Sequence, residues 1–460
     1  MKLSFLHIVF IFISLIGTLA PGFIAARHIK SADDYSVGGR KSGMGLVAGS
    51  IIGTIVGGAA TVGTAQLGYK LGLTAWWFTL GSGLALIVMA FFYAVPLRKS
   101  GLTTISEFLV TNYGKKAGYL ASLSSSFGIF FSVVASTLTG LHLIADLFQL
   151  NLYVAGALLI LITASFVFCG GLSGGGMAGI IKIALIFGSI AVGAVVAYLD
   201  LGGWQGMTAS FAPFPWFSLF GRGVENGLYS LVSMIVGVIS TQSYAQSVFS
   251  AKDSRTAAMG CILAAIVVIP VGLPSVMIGM YMATHHPGIN AIMALPMYLV
   301  IYLPEWLGGI GIGALLLSSI GSLGGLSLGI ATLISRDVVK NIWKDMDGKQ
   351  GLLVNRLLVL AAMFVATVFV FFHLDSSVLD FNYLSMALRA SGIFIPLTFC
   401  IFFNKRIAPR WGLLSIGCGI FTACLWPYLS PWKVSSLFPA LAVNLIFMVI
   451  GLFCSKSKQR

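Results

Sequence analysis

Charge is scarce in this sequence. Only 9% of the 460 residues are Asp, Glu, Lys or Arg, and 58% are hydrophobic, whereas about a quarter of the residues are charged in soluble domains. Apolar runs of about 20 residues recur along the chain, each long enough to cross a bilayer as a helix. The composition excludes an ordinary soluble domain. It predicts an all-α polytopic membrane protein whose environment is the lipid bilayer.

Groups that carry enzymatic chemistry are also missing. The chain has 13 acidic residues and six cysteines, with no Cys-x-x-Cys pair and no grouping of Ser, His and Asp that would mark a catalytic centre. No Gly-x-x-x-x-Gly-Lys-Ser/Thr motif occurs, which argues against ATP-driven transport. We therefore expect no enzyme and no cofactor other than a coupling ion, Na⁺ or H⁺.

The net charge of +14 indicates topology and not a nucleic-acid partner. If the N-terminus lies outside, nearly all basic loop residues fall on one side of the membrane, and the other side holds Lys2, Lys70, Arg222 and Lys433. Cytoplasmic loops are enriched in Lys and Arg. The pattern predicts a multi-pass plasma-membrane protein with its N-terminus outside, its C-terminus in the cytoplasm and no obligate protein partner. We interpret the first apolar stretch, from Ser4, as a retained helix and not a signal peptide.

Two of the predicted spans contain features that favour a broken helix. The second span carries the pair Gly57-Gly58 among further glycines and hydroxyls, and the seventh carries Ser240-Thr241-Gln242. Unwound segments at mid-membrane free backbone carbonyls that can bind a cation or solute. Spans two to six and seven to eleven form two blocks of five, and an odd number gives the blocks opposite orientations, as an inverted repeat requires.

Several motifs resemble those of the sodium:solute symporter family, in the same order. They are Asp34-Tyr-Ser-Val-Gly-Gly-Arg40, the loop from Pro96 to Glu107, Gln242-Ser-Tyr-Ala-Gln246, and Ser335-Arg336-Asp337. The resemblance implies a LeuT-type five-plus-five inverted repeat with one extra helix before it and two after it, about thirteen transmembrane helices in all. It implies cation-coupled symport of a small polar organic solute by alternating access. The coupling cation that the resemblance favours is Na⁺.

The same resemblance divides the chain into five parts. They are an N-terminal extra helix and cytoplasmic loop (1–42), a first repeat (43–200), an extracellular loop (201–224), a second repeat (225–404), and two C-terminal helices with a basic tail (405–460).

The resemblance also places a sodium site. The carbonyls of Gly53 and Val56 at the break in the second span, the carbonyl of Ser318 and the hydroxyl of Ser322 would be its ligands. One hydroxyl that the family has is missing, because Gly321 stands at its position. The family's acid on the sixth span is replaced by Gly179, and the glutamine three residues further on by Lys182.

Lys182 admits two interpretations. It follows Gly179 by three residues, so both lie on one helical face, and its ammonium would enter the cavity where sodium otherwise binds. The protein would then be proton-coupled or cation-independent, as in some LeuT-type amino-acid transporters that this arrangement resembles. In the alternative, Lys182 lies near the cytoplasmic end of its span and reaches the interface.

Polar residues inside the predicted spans are candidates for solute contact, although about half of such groups serve helix packing. The candidates are Thr61, Thr64, Gln66, Ser136, Ser240, Thr241, Gln242 and Arg389. Arg389 would contact a solute carboxylate or pair with Asp380 or Asp146. For His142 and Asp146, four residues apart, a helix-end hydrogen bond is favoured over a proton relay.

A channel or a transporter-like sensor is the rival from another class. A channel would conduct far faster than a carrier and would not saturate with solute. A sensor would normally need an appended signalling domain, and none is recognisable in the sequence.

Overall fold

The computed structural model describes residues 3–26, 40–343, 347–403, 406–429 and 434–456. Within these ranges the chain is almost entirely helical. The α-helices are α1 (Phe5–Ala26), α2 (Met44–Ile55), α3 (Thr64–Leu71), α4 (Trp77–Val88), α5 (Ala94–Lys99), α6 (Ile105–Tyr113), α7 (Lys115–Phe148), α8 (Leu152–Asp200), α9 (Gly203–Ser210), α10 (Pro213–Trp216), α11 (Val224–Ile239), α12 (Gln242–Ser250), α13 (Ser254–His285), α14 (Ala294–Ile301), α15 (Glu305–Leu333), α16 (Lys340–Ile342), α17 (Gly348–Phe371), α18 (Val378–Phe402), α19 (Pro409–Leu429) and α20 (Leu437–Lys456).

The described residues contain eight helices long and apolar enough to cross a membrane, or up to nine if the bent pair α11 and α12 counts as one span. Shorter apolar helices add to these, α2 and most of α1 among them. The all-helical membrane class is therefore as predicted, while the number of about thirteen spans and the inverted repeat stay predictions.

Helix α8 contacts α15 through two stretches, a first arm at 152–168 and a second arm at 179–200. Val167 of the first arm lies against Gly324, in the C-terminal half of α15, whereas Ser189 of the second arm lies against Gly311, near its N-terminus. Lys182 lies between these levels, beside Gly321. The sequence predicts two spans here.

Both predicted helix breaks are present. The α-helix of the second span ends at Ile55, and after a turn it resumes as a π-helical segment, Ala59–Gly63, that leads into α3. Helices α11 and α12 meet at an angle of 44°, with Thr241 in extended conformation between them. Only glycine fits at Gly57 and Gly58 in the first break, because neighbouring side chains occupy the space that a Cβ would need. These side chains are Ser322 at Gly57 and Thr139 at Gly58.

Helices α7 and α15 form the centre of the bundle. Of their most apolar segments, 83% of the residues in α7 and 89% in α15 are buried. Glycines in α15 allow close approach, since a Cβ at Gly309 or Gly313 would meet the backbone of α1. The α2 break faces α15, and the α11–α12 break lies near α7 and α18. These two contacts position the candidate site.

Candidate cation and solute site

Two serines of α15 bind backbone carbonyls at the break in the second span. The hydroxyl of Ser318 donates to the carbonyl of Val56 at 2.7 Å, and that of Ser322 donates to the carbonyl of Thr54 at 2.9 Å. Exposed carbonyls inside a bilayer need such partners. The structure thus places Val56, Ser318 and Ser322 together, although Ser318 uses its hydroxyl here and its predicted ligand is its carbonyl. The carbonyl of Thr54 is a further oxygen at this point, which the sequence analysis did not name.

The third carbonyl, that of Gly53, is bound by Lys182. The amide of Gly57 bonds to Ile55 at 2.8 Å and not to Gly53, and the Nζ of Lys182 donates to the oxygen of Gly53 at 2.6 Å. Lys182 is 3% exposed, so the interpretation in which it reaches the interface is wrong. The ammonium lies beside Gly321, where the family's missing hydroxyl would be. It therefore occupies the neighbourhood of the predicted sodium ion.

A close backbone contact holds Lys182 at this carbonyl. A Cβ built on Gly179 would lie 2.3 Å from the carbonyl oxygen of Gly49 and 3.0 Å from the Cα of Gly53. The second arm of α8 therefore packs directly on the backbone of α2. An acid at position 179, as the family resemblance implies, does not fit this packing. The glycine and the lysine three residues later act as one unit: the first brings the helices together and the second spans the remaining gap.

A cavity of about 60 Å³ lies beside the Lys182 amine. Its lining residues belong to α1, α2, α8, α12 and α15, and include Ser50, Thr54, Ser243, Gln246 and Leu328. One water needs about 10–15 Å³ of such space, so the cavity has room for a few waters. It lies toward the N-terminal end of α2 and the C-terminal end of α15, which is the predicted cytoplasmic side.

Arg389 lies at the other helix break. It is completely buried. Its Nη1 donates to the hydroxyl of Thr241, and its Nη2 donates to the hydroxyls of Ser132, at 2.6 Å, and Ser385. The guanidinium thus joins α18, α7 and the extended residue between α11 and α12. Its partners come from three different parts of the predicted transport core.

The predicted ion pairs of Arg389 are wrong. Asp380 pairs with Arg222, with its two oxygens 2.7 and 3.3 Å from the guanidinium nitrogens. The carboxylate of Asp146 lies 3.4 Å from the ring of His142. Each of these acids is exposed or half-buried, so neither compensates the charge of Arg389.

Most of the other solute candidates satisfy their own backbone. The hydroxyls of Thr61, Thr64, Ser240 and Thr241 donate to carbonyls four or five residues earlier in their own spans. Ser136 is buried on α7. In the described part of the chain, none of these residues lines the cavity beside Lys182, so that cavity and the Arg389 cluster are two neighbouring sites.

The two glutamine candidates tie helix N-termini to the broken spans. The amide of Gln66 donates to the carbonyl of Ser376 at 3.4 Å and accepts from the backbone of Val378 at 3.1 Å, at the start of α18. Gln242 makes the matching pair of bonds at the start of α6, to Thr103 at 3.0 Å and from Ile105 at 3.0 Å. Their amides are engaged with backbone, which indicates a positioning role and not solute contact.

An all-helical membrane protein with broken spans, and with polar groups gathered at the breaks, has the architecture of a secondary transporter. The family model described as sodium:solute symporter family matches residues 35–413. The chain belongs to this family.

Curated relatives are transporters. The chain is 25% identical over 434 residues to the human high affinity choline transporter 1, with 88% of this chain and 73% of the relative covered. It is 24% identical to rat solute carrier family 5 member 4, over 45% of this chain and 31% of the relative.

Solved structures share the fold. A Na⁺-coupled sialic acid symporter, in a substrate-bound outward-open state, superposes with a TM-score of 0.82 at 18% identity, over 98% of both chains. MhsT in complex with L-phenylalanine superposes with a TM-score of 0.55 at 13% identity, over 89% of this chain and 98% of the other. The LeuT-type fold that the sequence motifs imply agrees with these matches.

Proposed function

We propose that this protein is a secondary active transporter of a small organic solute in the plasma membrane, driven by proton exchange at Lys182. In this proposal the lysine ammonium takes the place of the family's coupling cation. The observation that carries the proposal is the 2.6 Å hydrogen bond from the Lys182 amine to the carbonyl of Gly53. A monovalent positive charge at this point can satisfy the carbonyl as a sodium ion would.

Protonation of Lys182 then acts on the helix break. A charged amine binds the Gly53 carbonyl more strongly than a neutral amine does, and it holds the second arm of α8 against α2. Loss of the proton weakens this contact, so the two helices separate more easily. The cavity beside the amine supplies a path for the proton on the predicted cytoplasmic side. Solute and proton that favour the same conformation stabilise each other's binding, and this mutual effect is the coupling.

Sodium coupling is the second candidate. Membership of the family favours it, as does the convergence of Val56, Thr54, Ser318 and Ser322 around the break. Against it, the two serine hydroxyls already donate to carbonyls, and the carbonyl of Gly53 already accepts from Lys182. A sodium ion would have to displace the amine before it could reach these oxygens.

Proteoliposomes loaded with the pH-sensitive dye pyranine test the coupling ion. Choline, lactate and proline are added outside in K⁺ buffer without Na⁺. We expect at least one of them to acidify the interior, at the same rate when Na⁺ replaces K⁺. If no solute acidifies the interior, and radiolabelled solute enters only when Na⁺ is present, the coupling ion is sodium. A current that does not saturate with solute would indicate the channel alternative.

A further inference from the structure

The charged side chains that are buried in the described part of the protein are both cations, Lys182 and Arg389. The acids in these ranges are exposed or half-buried. The two ion pairs there join Asp380 to Arg222 and Asp146 to His142, so Arg389 belongs to neither. Within the described residues, the two buried cations therefore have no acidic partner.

The groups around Arg389 are neutral and oriented. The hydroxyl of Ser132 donates to the side-chain oxygen of Asn382 at 2.9 Å, that of Thr241 to the carbonyl of Gly237, and that of Ser385 to the carbonyl of Gly128. Since each hydroxyl proton is bound in this way, the oxygen lone pairs are left to face the guanidinium. A fourth hydroxyl, of Tyr244, also interacts with it. The cluster accepts hydrogen bonds from Arg389 but carries no negative charge.

One donor of Arg389 has no partner: the Nε is buried and makes no hydrogen bond. A guanidinium does not lose its proton in proteins, so this charge persists in every state of the transport cycle. Burying an uncompensated charge destabilises a protein strongly. A ligand that supplies negative charge would relieve this cost, and binding would gain the corresponding free energy.

We propose that the transported solute is an anion, and that Arg389 binds its carboxylate. The Nε of Arg389 is free to donate to one carboxylate oxygen. The second of the two parallel hydrogen bonds that a guanidinium makes with a carboxylate would come from Nη2, in place of a serine hydroxyl. The Arg389 partner Thr241 lies two residues from Ser243, which lines the cavity at Lys182. The Arg389 cluster and that cavity are therefore linked through the start of α12. This inference rests on the proposed transport function and adds the class of solute.

The same charges disfavour a quaternary ammonium solute such as choline, although choline transporters are relatives. Proteins recognise quaternary ammonium groups with aromatic faces, whereas two buried cations repel them. An anion that moves with one proton would also carry no net charge across the membrane. Its binding would favour the charged form of Lys182, and a charged Lys182 would favour anion binding in return.

Thermal unfolding of the purified protein tests the solute class. The probes are acetate, pyruvate and lactate, each paired with its neutral amide, together with choline. We expect at least one carboxylate to raise the melting temperature of the wild type more than its amide or choline does. This shift is expected to vanish in Arg389→Gln and to persist, smaller, in Arg389→Lys. Arg255→Gln, at an exposed arginine, is the matched control.

Two results would overturn the proposal. In one, no carboxylate stabilises the wild type more than its amide, or choline stabilises it equally. In the other, Arg389→Gln without solute melts several degrees below the wild type, which would show that Arg389 stabilises the fold. We expect an equal or higher melting temperature for this variant. Lys182→Gln separates this inference from the proposed coupling: it should retain a carboxylate shift, smaller than that of the wild type, because Arg389 is still present even if proton coupling fails.

Discussion

Uptake by the Lys182→Gln variant should lose its dependence on pH, and the accumulation of solute should fall by about tenfold or more, the size of a typical coupling between two sites. Glutamine keeps a donor for the carbonyl of Gly53 but carries no charge and binds no proton. The proton gradient then cannot drive accumulation of the solute. The measurement is uptake of labelled solute into proteoliposomes at several external pH values, with a fixed internal pH.

Two further variants make this test specific. Lys182→Arg keeps the positive charge but does not release its proton, so we expect it to bind solute and to be equally poor in accumulation. Lys116→Gln removes an exposed lysine at the start of α7 and should transport as the wild type does. A wild-type pH profile in Lys182→Gln would show that another group carries the proton.

Gly179→Ala is expected to reduce uptake by more than about tenfold, which corresponds to about 1.4 kcal/mol or more. The added methyl would lie 2.3 Å from the carbonyl oxygen of Gly49, and backbone on both sides leaves no flexible group to yield. Overpacking of this kind costs about 1–3 kcal/mol, and the helices must part by a fraction of a methyl diameter. That movement takes the Lys182 amine away from Gly53.

Gly188→Ala is the matched control, because Gly188 is in the same arm of α8 and a Cβ there meets nothing within 4 Å. Uptake and melting temperature are measured for both variants. Wild-type uptake by Gly179→Ala would mean that close packing of α8 on α2 is not needed for transport. Loss of uptake in both variants would point to a general requirement for glycine in this arm.

The sequence predicts the helix breaks well because their cause is local. A pair of glycines flanked by hydroxyls favours unwinding wherever it lies in a span, and the structure has the break at Gly57-Gly58. The family motifs also place Ser318 and Ser322 opposite this break. These features depend on residue type and spacing, which a sequence contains.

The sequence does not decide the role of Lys182, because this role depends on how deeply the side chain is buried between helices. Five residues from a span end, a lysine either reaches the interface or turns inward, and helix packing decides between the two. Here the deciding contact is Gly179 on Gly49, between residues far apart in the chain. The sequence shows a glycine at position 179 but not what it packs against.

The solute candidates are harder to predict because a hydroxyl in a helix can always bond to its own backbone. Thr61 and Thr64 do so, whereas Ser132 reaches Arg389 on another helix, and nothing in the sequence distinguishes them. Gln66 and Gln242 bind the N-termini of helices that begin more than a hundred residues away. Such contacts arise only from tertiary structure.

A sodium titration of thermal unfolding tests the central claim, that the Lys182 amine occupies the cation position. Purified wild type and Lys182→Ala are unfolded in Na⁺ and in K⁺ at equal ionic strength. The account predicts no Na⁺-specific stabilisation of the wild type, and a stabilisation of Lys182→Ala that grows with Na⁺ concentration by mass action, because the carbonyl of Gly53 is then free. Na⁺-specific stabilisation of the wild type would contradict the account, since a sodium ion would then bind with the lysine in place.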